Sequence, residues 1–367
     1  MIIHIDTWKA WQGGQQQAFY LHQYLCENKI KSVMICKSGT PMALKCQEKN
    51  LPYKTLPLLA EIDFLSAIRI AIFAKRNQAK ILHLHTAHAI SIGLLAKFFY
   101  RKTKVIAVKR VDFPIRKNFL SRLKYNNSLL DVLVCISKNI YNVVVNGGFS
   151  ANRLRMIYSG IDTNRYKLPD ENYKMEVRQQ LFSQYNIPSH HTIIGTVATF
   201  TGRKDYPTLL RAAKIVIENN PDITFVALGE GDDKEKILEI RKELQLENRF
   251  ILAGFQDDVK KYLHFYDIFV LASKLEGLGT SVLDAMSAQK PIVACNSGGI
   301  PEMIQHEQNG LLAEAENPED LAEKLLRMIN DQELRKRLAL QAEIDVKEFS
   351  IENTIRQNIE LYDELQA

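Results

Sequence analysis

The chain has 367 residues, of which 46% are hydrophobic and 25% charged. That mix excludes a disordered or collagen-like chain, and the length exceeds one ordinary core, so two domains are expected. The net charge of +6 conceals a division. Residues 1–185 carry 28 Lys and Arg against 11 Asp and Glu, and residues 186–367 carry 20 against 31. A +17 half and a −11 half point the first half toward something anionic, whether nucleic acid, an anionic membrane surface or a phosphorylated acceptor. Drift in surface charge is the plain alternative.

The most apolar stretch, Ala87 to Ala96, ends at Lys97, short of the ~18 residues of a membrane-spanning helix. The opening Met1-Ile2-Ile3-His4-Ile5-Asp6 has neither a basic n-region nor a small-residue cleavage site, so secretion is not expected. Cys26, Cys36, Cys46, Cys135 and Cys295 are odd in number and form no C-x-x-C pair. They read as reduced thiols of a cytosolic protein rather than a disulfide or zinc framework.

In chain order, β-branched runs alternate with amphipathic stretches. Strands are predicted at Ile2–Asp6, Ser32–Lys37, Tyr53–Leu56, Lys80–Thr86, Val105–Val111, Val132–Ser137 and Arg155–Ser159, with helices at Gln15–Glu27, Phe64–Ala79 and Ala89–Tyr100. Residues 163–190 are polar and broken by Pro169 and Pro188; 166–190 reads as a linker. A second series follows. Its strands are expected at Thr192–Thr199, Thr224–Gly229, Phe250–Gly254, Ile268–Ser273, Pro291–Asn296 and Gly310–Ala313. Its helices are expected at Tyr206–Asn219, Lys234–Gln245, Val259–Phe265 and Ser281–Ala288, ahead of a helical tail from Asn317. This predicts an α/β fold of two tandem Rossmann-like, doubly wound domains, 1–165 and 191–348, followed by a terminal segment 349–367. The ligand site is expected at the strand C-termini facing a cleft between them.

No G-x-x-x-x-G-K-[ST], G-x-S-x-G or His-Glu-x-x-His occurs, and Gly229-Glu230-Gly231 lacks the third glycine of a dinucleotide fingerprint. Gly13-Gly14 follows the first strand and either lets a phosphate approach backbone N–H groups or forms an ordinary βα turn. His83, His85 and His88 cluster at the fourth strand, where an imidazole could meet substrate. Without further Cys or His to complete a shell, no metal is expected. Residues 101–124 carry Arg101, Lys102, Lys104, Lys109, Arg110, Arg116, Lys117, Arg122 and Lys124 against Asp112, with Phe119, Leu120 and Leu123 interleaved. This suits an anionic membrane surface or a solvated helix face, and no recognition motif supports nucleic acid. Past the strand that ends at Thr199, Arg203 and Lys204 stand where a diphosphate could meet them, or form a plain surface turn. Ser273 to Met286 is the sharpest segment: a strand ending near Ser273, a glycine-bearing loop, then a helix near Ser281. Its N–H groups make an anion site, and its carboxylates Glu276 and Asp284 could hold sugar hydroxyls. Ser281-x-x-Asp284 also reads as a capping box.

Glu276-x7-Asp284 resembles the E-x7-E signature of glycosyltransferase family 4, a group of retaining, metal-independent GT-B transferases. Gly229-Glu230-Gly231, Gly254-Phe255, Ser273, Asn296-Ser297-Gly298-Gly299-Ile300-Pro301-Glu302 and Asn309-Gly310 stand in that family's order. Trp11-Gln12-Gly13-Gly14-Gln15, His83-Leu84-His85-Thr86 and Arg110-Val111-Asp112-Phe113 resemble transferases of lipopolysaccharide or surface polysaccharide.

The resemblance implies that Glu276 holds the transferred sugar and Asp284 the ribose. Lys204 and Arg203 would meet the leaving diphosphate, with His85 beside the reacting centre. Gly13, Gly14, Thr199, Gly229, Gly254, Phe255, Gly277, Leu278, Gly279, Thr280 and Ser281 would line the donor. Arg110, Arg116, Lys117, Arg122 and Lys124 would face the acceptor or membrane. It further implies a nucleotide-sugar co-substrate (a UDP-sugar ahead of a GDP-sugar), an anionic lipid or glycolipid acceptor, no cofactor, closure of the two domains over the donor, a C-terminal helix within 349–367 that crosses back to the first domain, and a location on the cytoplasmic face of the inner membrane. The sequence departs from the family pattern at Asp284, one methylene short of Glu. Thr199 stands where an Arg is usual, and Arg110 where a His is. A non-catalytic nucleotide-sugar or lipid-binding subunit is the alternative, and a GT-B epimerase or phosphorylase a further one.

Overall fold

The computed structural model describes residues 1–60, 62–112, 124–166 and 170–367. These residues divide into two compact units: Met1–Gly160 with Ile351–Ala367, and Ile161–Ser350.

In the first unit, seven strands form one parallel sheet: β1 (Ile2–Ile5), β2 (Ser32–Cys36), β3 (Tyr53–Thr55), β4 (Ile81–Leu84), β5 (Lys104–Lys109), β6 (Val132–Cys135) and β7 (Leu154–Met156). Their order is β3-β2-β1-β4-β5-β6-β7. The register sets Ile3 of β1 beside Val33 on one side and Leu82 on the other. β1, β4 and β6 are buried at every position, as a parallel sheet covered on both faces requires.

The crossover helices are α1 (Gly13–Glu27), α2 (Pro41–Glu48), α3 (Phe64–Arg76), α4 (Ala87–Phe99) and α5 (Lys138–Asn146). Side-chain caps set several starts. Thr86 Oγ1 accepts the N–H of Ala89 at 3.1 Å, and Ser137 Oγ accepts that of Ile140 at 3.1 Å.

The second unit repeats the plan with β8 (Thr192–Val197), β9 (Ile223–Leu228), β10 (Phe250–Gly254), β11 (Ile268–Leu271), β12 (Ile292–Cys295) and β13 (Leu311–Ala313), in the order β10-β9-β8-β11-β12-β13. The sheet order therefore reverses between β8 and β11, and in the first unit between β1 and β4. Open α/β sheets bind ligands outside the strand C-termini at such a point. The helices are α6 (Glu171–Gln184), α7 (Tyr206–Asn219), α8 (Lys234–Glu243), α9 (Val259–Phe265), α10 (Thr280–Ser287), α11 (Pro318–Asn330) and α12 (Gln332–Asp345); the tail ends in α13 (Ile351–Gln366).

The structure departs from the expected boundaries in two ways. The polar composition of 166–190 suggested a linker, yet α6 occupies 171–184 and packs on α9. Asp170 caps it by accepting the N–H of Tyr173 at 3.0 Å. Arg178 makes a two-pronged bond to Asp267 at 3.1 and 3.0 Å, and Phe182 meets Phe265 edge to face. A few buried positions, Val177, Leu181 and Phe182, anchor an otherwise polar helix. The chain also passes between units at Gly160 rather than 165. Ile161 donates to the carbonyl of Phe349 at 2.9 Å, so the two crossing segments run side by side. From there α13 joins the first unit: it packs on α1, and its Tyr362 hydroxyl lies 2.6 Å from His83 Nδ1.

Candidate active site

The second unit assembles its site from loops that follow β8, β9, β10, β11 and β12. After β8 the chain makes a short turn at Gly202–Lys204. Asp205, in the left-handed region (φ 47°), then starts α7, with its carboxylate on the Thr208 hydroxyl at 2.7 Å. The Arg203 carbonyl accepts the N–H of Lys274 at 3.0 Å, which ties this turn to the loop after β11. That loop is tied in turn to the loop after β12. Ser297 Oγ donates to the Ser273 carbonyl at 2.5 Å, and the Gly299 N–H donates to the Glu276 carbonyl at 3.0 Å. After β9, the Gly229 N–H reaches the Gly254 carbonyl at 3.0 Å.

These ties bring Lys204 and Glu276 into an ion pair, although 72 residues separate them. Glu276 is 9% exposed. A carboxylate and an ammonium so placed must be paired or engage a ligand, because each is costly to bury alone. Gly279 lies beside the pair as the N-cap of α10. Its φ of 95° belongs to glycine, and a Cβ there would stand 2.7 Å from Ile300 Cδ1. No side chain caps α10. The first N–H groups of the helix, at Thr280 and Ser281, thus carry its positive end beside the Lys204–Glu276 pair.

Of the two readings of Asp284, the capping box does not form: the carboxylate faces Arg165 and Tyr166 instead. Burial pushes its carboxyl up to about 7, while the Arg165 charge and the Tyr166 hydrogen bond work the other way. Thr199 is exposed, Gly254 is half-buried, and Phe255 offers a ring 62% exposed. Gly277 and Leu278 are buried under the loop that follows β12. The structure thus gathers Thr199, Arg203, Lys204, Gly229, Gly254, Phe255, Glu276, Gly279, Thr280, Ser281 and Asp284 on one edge of one unit. Arg165 and Tyr166 were missed. Nothing in the local sequence marks them, since only the fold carries them to Asp284.

The first unit has its own polar centre where β1 and β4 end. Asp6 accepts from the Gln15 amide at 3.0 Å and the Trp8 N–H at 2.9 Å. Burial raises its carboxyl, with Gln15, Trp8 and Arg110 opposing the rise. Arg110 was expected on an acceptor- or membrane-facing surface. The structure turns it inward: its Nη1 donates to Ser159 Oγ at 3.1 Å, and a Cβ on Gly14 would lie 2.9 Å from its Cδ. Gly14 is therefore the residue that lets the guanidinium cross the start of α1. Burial lowers Arg110 to about 10, with Asp6 opposing.

His85 is buried rather than presented at an open strand end. Its Nε2 lies 2.9 Å from His4 Nδ1. Burial first, then His83, His4 and Arg110, hold it well below the usual range and hence neutral. A cavity of about 20 Å³, room for one water, lies among His83, His85, Arg110, Ser159, Gln17 and Asn358. His88, the third histidine of the sequence cluster, does not join His83 and His85 and meets the Ala60 carbonyl instead. The fold supplies His4, and one ring nitrogen of each of His4, His83 and His85 lies within 4.8 Å of the others, a grouping able to hold a metal ion. Gly13 opens α1. Lys124 is half-buried, and Arg116, Lys117 and Arg122 lie outside the described residues.

Two family models match the chain. The model described as "Glycosyl transferases group 1" matches residues 177–344, and "Glycosyltransferase Family 4" matches residues 11–165. The chain belongs to glycosyltransferase family 4. It is an enzyme of the glycosyltransferase class.

Among its relatives is the N-acetyl-alpha-D-glucosaminyl L-malate synthase of Bacillus anthracis, 27% identical over 82% of this chain and 78% of the relative. The lipopolysaccharide core biosynthesis glycosyltransferase LpsE of Rhizobium meliloti is 26% identical over 89% and 88%. The solved structure of Anabaena Alr3699/HepE in complex with UDP-glucose superposes with a TM-score of 0.87 at 20% identity, covering 99% of each chain. That likeness shows the GT-B fold of two Rossmann-like domains.

Proposed function

We propose that this glycosyltransferase moves a sugar, with retention, from a UDP-sugar held by the second unit to a membrane-associated glycan or lipid of the cell envelope. The observation that carries the reading is the Lys204–Glu276 pair beside the uncapped start of α10. A nucleoside diphosphate needs cations and N–H donors, a sugar needs a carboxylate for its hydroxyls, and both lie together at the point where the sheet order reverses. In this reading the donor's diphosphate takes Lys204, Arg203 and the N–H groups of Thr280 and Ser281, which frees Glu276 for the sugar. Asp284 accepts from the ribose hydroxyls, and Gly254 and Phe255 meet the base.

In the transfer, the bond from the sugar's anomeric carbon to the phosphate oxygen breaks as the acceptor oxygen bonds that carbon on the same face. The acceptor proton passes to the departing phosphate oxygen. Lys204, Arg203 and the helix end stabilise the negative charge that develops there.

The names of relatives support the UDP-sugar and the cell-envelope acceptor. The HepE complex holds UDP-glucose, LpsE builds lipopolysaccharide core, and an Escherichia coli relative is a UDP-Gal:alpha-D-GlcNAc-diphosphoundecaprenol alpha-1,3-galactosyltransferase. The basic first half, with 24 Lys and Arg against 7 Asp and Glu over residues 1–160, supports an anionic acceptor on the inner, cytoplasmic face of a membrane. A small soluble acceptor is the second reading, favoured by the L-malate synthase relative.

The test is a thermal-shift panel of UDP, GDP, ADP and CMP with their sugar conjugates, with and without EDTA. A ligand that binds only the folded chain raises the melting temperature. A shift selective for UDP or a UDP-sugar, unchanged by EDTA, is expected. A shift selective for another nucleotide overturns the donor, and a flat panel overturns the donor site.

A further inference from the structure

Helix α3 is patterned inside out. Its buried positions are Ser66, Ala67, Ile70, Ala71 and Ala74. Its large apolar residues point the other way: Phe64, Leu65, Ile68 and Ile72 are exposed, from 38% at Ile68 to 69% at Leu65. Just upstream, Leu59 is 82% and Ile62 60% exposed. Small residues let α3 sit close on α4, and the price is a continuous apolar stripe outside. Isolated exposed leucines are ordinary, but a stripe at i, i+4, i+8 spacing on one helix is not.

The remaining exposed positions of α3 are Arg69, Lys75 and Arg76, so its outer face carries no acid. Asp63 is used up at the helix start, accepting the Ser66 N–H at 2.9 Å, the Ser66 hydroxyl at 2.7 Å and the Leu59 N–H at 3.1 Å. The neighbouring α4 ends in exposed Phe98 and Phe99, with Arg101 over the Phe98 ring at 5.4 Å.

We propose that α3 is a membrane-docking helix that lays Phe64, Leu65, Ile68 and Ile72 into the headgroup boundary of an anionic lipid bilayer, with Arg69, Lys75 and Arg76 on lipid phosphates. An apolar stripe whose only other exposed neighbours on α3 are cations, with the one described acid beside it, Asp63, held in the helix cap, fits such a surface. The charge argues against a second copy of this chain: a symmetric contact would set these cations against one another. The inference deepens the membrane-acceptor reading and rests on it for its setting, while its test is independent of transfer.

The experiment sediments the full chain with vesicles of phosphatidylcholine alone and with phosphatidylglycerol added. It uses the parent, a Leu65→Ser/Ile68→Ser/Ile72→Ser variant and an Arg69→Glu/Lys75→Glu variant, with light scattering alongside. The expected result is salt-sensitive binding to the anionic vesicles alone. The partition coefficient should fall about tenfold or more in the serine variant and severalfold in the charge variant, with melting temperature and nucleotide shift unchanged. A Leu65→Trp variant should emit further to the blue on vesicle binding. Failure of the parent to bind, equal binding by the serine variant, or a parent dimer that the serine variant dissolves would each overturn it. If α3 binds vesicles and the acceptor proves soluble, the helix assignment stands and the acceptor reading falls.

Discussion

At the scale of single residues, the Lys204–Glu276 pair ties function to stability in a separable way. Glu276→Gln should lower turnover about 10²-fold or more, since a group placed for the transition state is lost. Lys204→Ala should lower turnover and also destabilise the fold by about 3 kcal/mol, because it leaves a buried carboxylate unpaired. The double variant should regain most of that stability and none of the activity. Denaturant melts and turnover on the same samples check this; recovery of both would make the pair merely structural.

Asp284 makes a pH prediction. Burial raises its folded carboxyl to about 7, above the ~4 of an unfolded aspartate. Its contribution is therefore fully present below about pH 4 and is lost as pH climbs through 7. Asp284→Asn should raise the melting temperature over the parent at pH 8 and not at pH 4.5, while weakening the nucleotide shift. Equal gains at both pH values would contradict this account. Glu276 and Gly279 could be read together from the sequence because they share one loop, whereas Lys204 stands on another loop, 72 residues from Glu276, and only the fold pairs them. Arg165 and Tyr166 could not, because their partner Asp284 is brought to them by the packing of a whole unit.

Among the elements, most parallel strands and most crossover helices could be read within a residue or two, because burial on both faces forces β-branched runs; β7 and α3 end three residues short of their expected ends, and α2 and α5 were not expected. α6 escaped because its composition is polar and its stabilising contacts are distant: Arg178 with Asp267, and Phe182 with Phe265. Arg178→Ala should cost about 2 kcal/mol by removing a charge-assisted two-pronged bond. Arg178→Lys should recover little of it, since an ammonium cannot reproduce the fork. Chemical denaturation measures both. α3 taught the converse. Its predicted amphipathicity was real, but the apolar face that periodicity alone would assign to the core is the exposed one, and only packing on α4 through alanines decided which side faces inward.

For the whole molecule, the tail belongs to the first unit. α13 buries Ile351, Ile355, Leu361 and Tyr362 there, and the Tyr362 hydroxyl meets His83. Ending the chain at Ser350 should leave the first unit unable to hold its fold, seen as rapid proteolysis within residues 1–160 while 161–350 resists. A soluble truncate with full activity would refute this.

The sequence by itself determined the alternation of strands and helices, the repeat of that plan, and the family signature at Glu276 and Asp284. Each is written in short-range pattern: hydrophobic period, glycine placement and carboxylate spacing. The tertiary structure alone decided that Lys204 meets Glu276, that Arg110 turns inward past Gly14, that His4 completes a cluster with His83 and His85, and which face of α3 is left outside. These depend on strand order and helix packing, which bring together residues that no local pattern couples.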